Sequence, residues 1–345
     1  MATLDAWGEA GQKYKIHEET LAFFRQQKER GARPYPELSV EEAREANLQT
    51  SLFYAGDTEF KGSIKEFTVP SVHCPGKAVF THRDEGPLIL PILISGKKEG
   101  VAVSVYKDSI CPLTAPVLVY FHGGGMVVGS RQAYDVTCKL IARDTPCIVV
   151  NTEYRLAPEH RFPAQFKDVE CVTRWVCMNK ALIGANNSSR VGVGGDSAGG
   201  NLAASVCHQV NVDFQVLVYP MTDHTCSQPS FSEFATTPGL NQSMIQWFQD
   251  LHFTSPEEVK DPRYSPLLHK DFSRLPPAIF VIAELDPLRD CGYAYRDKLS
   301  SAGVTTDCIT LQGAPHAFFH MPGNYEVNCR LSYEAVTRFI RKFSH

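Results

Sequence analysis

Short, mainly apolar runs recur through the middle and the end of the chain, and the first of them is unbroken. They occupy residues 117–121, 147–151, 191–195, 214–220, 278–284 and 305–311. Strands that are covered on both faces of a sheet show such continuous runs, whereas half-exposed strands alternate apolar and polar residues. The runs therefore predict the central strands of a buried sheet. Further strand candidates precede them at residues 65–70, 88–94 and 101–106.

Segments with helical periodicity separate these strands. They cover residues 131–144, 164–179, 198–210, 289–301 and 326–343. A chain that alternates strand and helix in this way forms a mostly parallel central sheet with helices on both faces. The pattern thus predicts an α/β fold.

Two segments do not follow this alternation. Residues 1–55 have the pattern of polar helices, and Ser39 with Glu42 forms the capping-box signature that opens the second of them. Residues 221–275 lie between two core strands and combine a Ser/Thr/Pro-rich stretch with a helical pattern at 241–253. An insertion between core strands must project from the edge of the sheet.

These two segments predict the domain organisation. We expect a catalytic core made from residues 56–220 and 276–345. We expect the N-terminal helices of residues 1–55 and the insertion at 221–275 to form a helical cap over that core.

Composition and charge narrow the classes of partner. The chain has 345 residues and a formal net charge of −4, with no stripe of basic residues to follow a nucleic acid. It has no apolar run of about 18 residues, and its first residues lack the basic start and apolar stretch of a signal peptide. We therefore expect neither nucleic acid nor a membrane anchor, and the sequence permits a homodimer through an edge strand or the last helix.

The cysteines indicate a reducing compartment. There are eleven, an odd number, and no CxxC pair occurs among them. Those in apolar runs, such as Cys147, Cys171 and Cys207, fit free thiols that pack as small hydrophobic groups. A secreted disulfide framework would use an even, regularly spaced set. We expect free cysteines and a cytoplasmic location.

A turn of small residues stands between the strand candidate at 191–195 and the helical segment that begins at 198. It reads Gly195-Asp196-Ser197-Ala198-Gly199. A nucleophilic serine on a sharp strand-to-helix turn needs glycine on both sides, because a side chain there would clash. Ser197 is therefore the candidate nucleophile. The alternative for the same residues is a glycine-rich turn with a capping serine.

Three consecutive glycines follow the strand candidate at 117–121, in the motif His122-Gly123-Gly124-Gly125. Such glycines expose backbone N–H groups, which acyl-transfer enzymes use to bind the oxyanion of the tetrahedral intermediate. We expect the N–H groups of Gly124, Gly125 and Ala198 to form this oxyanion hole, while His122 shapes the loop by hydrogen bonding. A phosphate-binding loop would end in Lys followed by Ser or Thr, and this one does not.

Candidates for the acid and the base lie further along the chain. In serine hydrolases built on such a sheet, the acid and then the histidine follow the nucleophile. Asp286 follows the strand candidate at 278–284, and His316 follows the next strand. Asp290 and His320 are rivals that lie further from their strands. We expect Asp290 to open the next helix and His320 to be a cap contact or a surface residue.

With these motifs in view, the chain resembles the hormone-sensitive lipase family of α/β hydrolases over roughly residues 100–345. The resemblance rests on HGGG at 122–125, GDSAGGN at 195–201, DPLRD at 286–290, GAPHAFFH at 313–320 and EYRLAPEHRFPAQFKD at 153–168. It implies hydrolysis of carboxylic esters by a Ser–His–Asp triad, an oxyanion hole at the glycines and a cap. It implies no metal and no cofactor.

Several residues near these motifs are expected to shape the pocket or support it. Met126 stands where bulkier aromatic residues often follow the glycines in this family, and with Val127 and Asp196 it is a candidate for the substrate pocket. Arg155 and Glu159 are expected to form a structural ion pair beneath the site. The polar composition of the insertion favours small soluble esters over emulsified triglyceride.

The sequence motifs are also consistent with two alternatives to a carboxylesterase. The arylacetamide deacetylases of the family cleave amides by the same mechanism, although the membrane anchor expected of the animal enzymes is not seen here. The plant gibberellin receptors resemble the family but bind a small molecule without hydrolysis, having lost the catalytic histidine. Because His316 is present, the sequence favours hydrolysis of an ester of short to medium acyl chain over both alternatives.

Overall fold

The computed structural model describes residues 5–70 and 100–344. The strand predicted at 88–94 lies outside these residues. Within them, one sheet contains the strands β1 (Gly62–Val69), β2 (Val101–Asp108), β3 (Val117–Phe121), β4 (Ile148–Glu153), β5 (Val191–Asp196), β6 (Phe214–Val218), β7 (Ala278–Leu285) and β8 (Thr306–Pro315). Their order is β1-β2-β4-β3-β5-β6-β7-β8. Strand β2 is antiparallel to both of its neighbours, and β3 to β8 pair in parallel.

The helices of the described chain are α1 (Gly8–Lys13), α2 (Glu18–Glu29), α3 (Val40–Ala55), α4 (Asp135–Asp144), α5 (Ala164–Met178), α6 (Ala198–Val206), α7 (Pro229–Glu233), α8 (Gln242–His252), α9 (Arg289–Ser301) and α10 (Glu326–Ile340). Helix α9 coincides with its prediction. Helix α4 begins later than predicted because residues 131–134 form turns, and α6 ends at Val206, where the chain tightens into a turn through residue 210.

The central strands are apolar throughout because they contribute side chains to two separate cores. Every residue of β3 is buried. Val119 and Phe121 pack in a cluster with residues of α5 and α6, whereas Leu118 and Tyr120 pack on the other face with residues of α4 and α10. This confirms the prediction of a mostly parallel sheet with helices on both faces, since alternate residues of one strand supply opposite cores.

Helix α2 is fixed at its N-terminal end to β8, the last strand of the sheet. The backbone N–H of His17 and the hydroxyl of Thr20 both donate to the carbonyl oxygen of Gly313, at 3.1 and 2.8 Å. The capping box predicted for α3 is present, with reciprocal hydrogen bonds between Ser39 and Glu42. Helices α1, α2 and α3 all lie within residues 1–55, where the sequence predicts polar helices.

No disulfide bond involves any of the ten cysteines in the described part of the chain. In residues 5–70 and 100–344, no helix combines the length and the apolar character needed to cross a membrane.

The prediction of an ion pair between Arg155 and Glu159 is wrong, because each residue pairs with a different partner. Arg155 binds Asp168 through its guanidinium group, at 2.7 Å, and through its backbone N–H, at 3.0 Å. Glu159 instead binds Arg44 of α3, which also donates to the carbonyl oxygens of Val127 and Ala157, each at 2.9 Å. The sequence placed the two charges one helical turn apart, but the Ala157–Pro158 segment between them is not helical.

Replacing Asp168 or Glu159 by the corresponding amide should lower the free energy of unfolding by different amounts. Asp168 is only 1% exposed and accepts hydrogen bonds from the guanidinium group and the backbone N–H of Arg155, so Asp168→Asn weakens buried charge-assisted hydrogen bonds and should lower the free energy of unfolding by about 2 kcal/mol. Glu159 is 51% exposed, and Glu159→Gln should cost less than about 1 kcal/mol. Urea denaturation of both variants measures the difference, and equal losses would contradict this assignment of the pairs.

Candidate active site

Ser197 lies alone between the end of β5 and the start of α6. Its backbone has a positive φ of 55° and a ψ of −118°, a conformation that side chains rarely adopt. A Cβ atom added at Gly199 would lie 1.9 Å from the carbonyl oxygen of Phe121, and one at Gly195 would lie 2.4 Å from the same atom. Glycine is therefore required on both sides of the turn, as the sequence predicted.

The hydroxyl of Ser197 is not used to cap its own helix. It makes no cap hydrogen bond to an N–H of α6. Its Oγ instead lies 2.9 Å from Nε2 of His316, whose Nδ1 lies 2.7 Å from Oδ2 of Asp286. The alternative of a capping serine is thereby wrong.

The carboxylate of Asp286 determines which way a proton can move along this chain of hydrogen bonds. Asp286 is fully buried, and its second oxygen accepts the N–H of Leu288 at 2.8 Å. Because an ionised carboxylate only accepts hydrogen bonds, Nδ1 of His316 donates to it and Nε2 is left to accept from Ser197. The arrangement can therefore take a proton from the serine hydroxyl.

The three side chains meet because their strands are parallel. Ser197 follows β5, Asp286 follows β7 and His316 follows β8, and the carboxyl ends of parallel strands share one edge of the sheet. The glycine loop follows β3 at the same edge.

The rival residues have other roles. Asp290 lies in the first turn of α9, where its carboxylate accepts the N–H of Ser230 and binds Arg289. His320 is not a surface residue, since it is 6% exposed and stacks on Tyr134 with ring centroids 4.8 Å apart. Burial lowers the pKa of His320 to about 3, so this ring is neutral at pH 7.

The glycine loop presents N–H groups to which the described residues offer no hydrogen-bond acceptor. Among the described residues, no hydrogen bond uses the N–H of Gly124, Gly125 or Ala198. Gly124 and Gly125 have φ values of 112° and 60°, which glycine adopts readily. His122 shapes the loop as expected, with Nδ1 at 2.8 Å from the carbonyl oxygen of Gly123 and its ring stacked on Tyr154.

A cavity of about 450 Å³ opens above Ser197. Met126 and Asp196 line it. Val127 is fully buried in a cluster with Ala43 and Ala157, and the neighbouring Val128 takes its place on the cavity wall. The turn that carries Met126 at a φ of 61° sends successive side chains to different sides.

Much of the cavity wall comes from residues that the sequence analysis did not single out. They are Phe23 and Phe24 of α2, Asn47 and Ser51 of α3, and Met244 and Phe248 of α8. The polar and apolar pattern of these helices could have indicated an inward face, but nothing in it identifies the object that the face covers.

The cavity is close to electrically neutral. Its charged lining residues in the described chain are Arg33 and Asp196. Two lining histidines besides His316 stay uncharged, because burial lowers the pKa of His320 and lowers that of His224 well below its usual range. No group of three or more His, Cys, Asp or Glu side chains in the described residues is arranged to hold a metal ion.

Comparison with known proteins places this chain among the α/β hydrolases. The model of the α/β hydrolase fold family matches residues 118–320. Esterase LipI of Mycobacterium tuberculosis is 35% identical over 244 residues, which cover 68% of this chain and 76% of LipI. The ethyl acetate hydrolase of Pseudomonas putida is 37% identical over 216 residues, which cover 61% of this chain and 68% of that enzyme.

Similar solved structures are also those of esterases. An esterase from the archaeon Pyrobaculum calidifontis has a TM-score of 0.81 and 29% identity, covering 95% of this chain and 99% of that chain. The class of protein defined by the fold and these relatives is a carboxylic ester hydrolase. The chain belongs to the α/β-hydrolase fold family and, within it, to the carboxylesterases of the hormone-sensitive lipase type.

The close approach at Gly199 can be tested by adding one methyl group. Gly199→Ala should give little soluble protein or a much lower denaturation midpoint, because the new atom meets a backbone carbonyl that cannot move aside. Gly303→Ala is the control, with a φ of 83° but no atom within 4 Å of the added Cβ, and it should cost about 1–2 kcal/mol. A Gly199→Ala variant as stable as the control would contradict the steric argument.

Proposed function

We propose that this carboxylesterase hydrolyses neutral esters of short to medium acyl chains through an acyl-enzyme on Ser197. The observation that carries the proposal is the chain of hydrogen bonds from Ser197 through His316 to Asp286 at the floor of the cavity. The three residues lie in separate loops of the chain. A chance alignment would therefore require three independent segments to converge with the correct hydrogen-bond geometry.

The proposed cycle has two halves. Ser197 attacks the ester carbonyl while Nε2 of His316 takes its proton, and Asp286 fixes the imidazole and stabilises its positive charge. His316 then gives this proton to the leaving alcohol, which departs and leaves an acyl-serine. Water attacks the acyl group with His316 again as base, and the acid is released as Ser197 regains its proton.

The oxyanion of each tetrahedral intermediate is proposed to bind the N–H groups of Gly124, Gly125 and Ala198. The support for this is that these groups have no partner in the described chain and border the same cavity as Ser197. Ala198 is also the first residue of α6, so the helix dipole adds to the stabilisation of negative charge there.

Helices α2 and α3 together with residues 221–275 are proposed to act as the cap. Side chains from α2, α3 and α8 lie across the cavity from the sheet edge. A cavity of about 450 Å³ falls in the range of about 300–1,000 Å³ that is usual for small-molecule sites. Its near neutrality favours uncharged esters, since a charged group would be desolvated without a partner.

The roles in the triad predict a contrast between two aspartates. With p-nitrophenyl butyrate, Ser197→Ala should abolish measurable turnover, and Asp286→Asn should lower kcat by about four orders of magnitude. Asp290→Asn makes the same chemical change four residues away and should retain activity, because Asp290 contacts Ser230 and Arg289 instead. Unchanged turnover in Ser197→Ala would refute the proposed nucleophile.

The cavity predicts a limit on the acyl chain. Measured over p-nitrophenyl acetate, butyrate, hexanoate, octanoate and palmitate, kcat/KM should be highest for butyrate or hexanoate and fall steeply towards palmitate, which exceeds the enclosed space. Comparison of p-nitrophenyl acetate with p-nitroacetanilide tests the amide alternative. A higher kcat/KM for the anilide, or a maximum at palmitate, would contradict the proposal.

A further inference from the structure

A buried carboxylate next to the nucleophile holds the glycine loop. Asp196 is 1% exposed, and no salt bridge to it exists among the described residues. Its Oδ1 accepts the hydroxyl of Tyr120 at 2.9 Å and the N–H of Gly123 at 3.0 Å, and its Oδ2 accepts the hydroxyl of Tyr134 at 2.8 Å. The oxygen of Tyr134 also lies 3.1 Å from the Gly123 nitrogen.

This contact fixes both polar groups of Gly123. Its N–H is engaged by Asp196 and Tyr134, and its carbonyl oxygen lies 2.8 Å from Nδ1 of His122. Because the peptide bond is planar and trans, the N–H of Gly124 points away from the carbonyl of Gly123. Holding that carbonyl against His122 therefore sets the direction of the first free N–H of the glycine loop.

The carboxylate and the glycine are also in steric contact. A Cβ atom on Gly123 would lie 2.4 Å from Oδ2 of Asp196. A buried, unpaired carboxylate is costly to keep, and three donors only offset that cost in part. A neutral amide or an apolar side chain would fill the same space at a lower cost, so the charge needs a reason.

We propose that Asp196 is a positioning residue for the ester hydrolysis, which anchors Gly123 so that the N–H groups of Gly124 and Gly125 face the oxyanion. Tyr120 and Tyr134 hold the Asp196 carboxylate in place through their hydroxyl groups. The inference rests on the proposed function, because it assigns the purpose of the anchor to the oxyanion hole.

The site has a titration signature that an inert packing contact would lack. Burial raises the pKa of Asp196 to about 6, while the hydrogen bonds from Tyr134 and Tyr120 lower it. A protonated carboxyl accepts fewer hydrogen bonds, so the anchor weakens as the pH falls through about 6. The titratable groups that face Asp196 are Tyr120, Tyr134, Tyr154, Tyr219, Cys138 and His316. Burial raises the pKa of each of the four tyrosines and of Cys138, so none of these five groups changes charge near pH 6.

The test compares Asp196→Asn, Tyr134→Phe and Tyr120→Phe with Tyr295→Phe, which removes a buried hydroxyl on α9 outside the site. With p-nitrophenyl butyrate, Asp196→Asn should lower kcat by about 100-fold and change KM by no more than about twofold. A misplaced N–H donor stabilises the transition state less but leaves the binding of the ground-state ester unchanged. Tyr134→Phe and Tyr120→Phe should lower kcat less, and Tyr295→Phe should be unchanged.

Two further readouts separate positioning from general loosening. In Tyr134→Phe the acid limb of the kcat profile should move to higher pH, because the carboxylate loses a donor that lowers its pKa. A trifluoromethyl ketone, which forms an oxyanion on Ser197, should bind Asp196→Asn more weakly by the same factor as kcat falls. The matching methyl ketone should lose little affinity.

The proposal is overturned if Asp196→Asn raises KM with kcat unchanged, or if both ketones weaken equally. It is also overturned if the acid limb of Tyr134→Phe stays in place. Should Asp196→Asn fail to fold, as judged by circular dichroism, the two tyrosine variants carry the test alone. These outcomes are distinct from a failure of the proposed nucleophile, which Ser197→Ala reports separately.

Discussion

The site depends on one close contact of backbone with backbone, where α6 passes β3 at Gly199. A helix that begins this near a neighbouring strand leaves no room for a gradual turn after β5. The turn is closed by one residue, Ser197, at a positive φ. Its side chain is thereby directed away from the helix that it precedes, and its hydroxyl is free for His316.

The parallel sheet turns this local constraint into an assembled centre. Strands β3, β5, β7 and β8 run in one direction, so the loops after them arise at a single edge. Each loop supplies one component: free N–H groups, a hydroxyl, a carboxylate and an imidazole. Strands β3, β5 and β7 are almost wholly buried, which gives these four components a rigid base. Little side-chain adjustment is needed for the hydrogen bonds to align.

Most of the fold could be predicted from the sequence, because periodicity reports burial directly. The central strands and α9 were predicted closely, and the positions of Asp286 and His316 after their strands followed from chain order. Contacts between distant segments could not be predicted in the same way. The pairing of Arg155 with Asp168, and the burial of Val127 and His320, depend on how loops fold back, which neither spacing nor residue type specifies.

The anchoring of α3 by Arg44 has a mechanical consequence. This guanidinium group joins the helix to two carbonyl oxygens, of Val127 beside the glycine loop and of Ala157 behind it. Lifting α3 would strand these acceptors, at a cost of about 1–3 kcal/mol for each group left buried and unpaired. Helix α3 is therefore held firmly in place. An ester that enters the cavity would displace the other helices that line it more easily than this one.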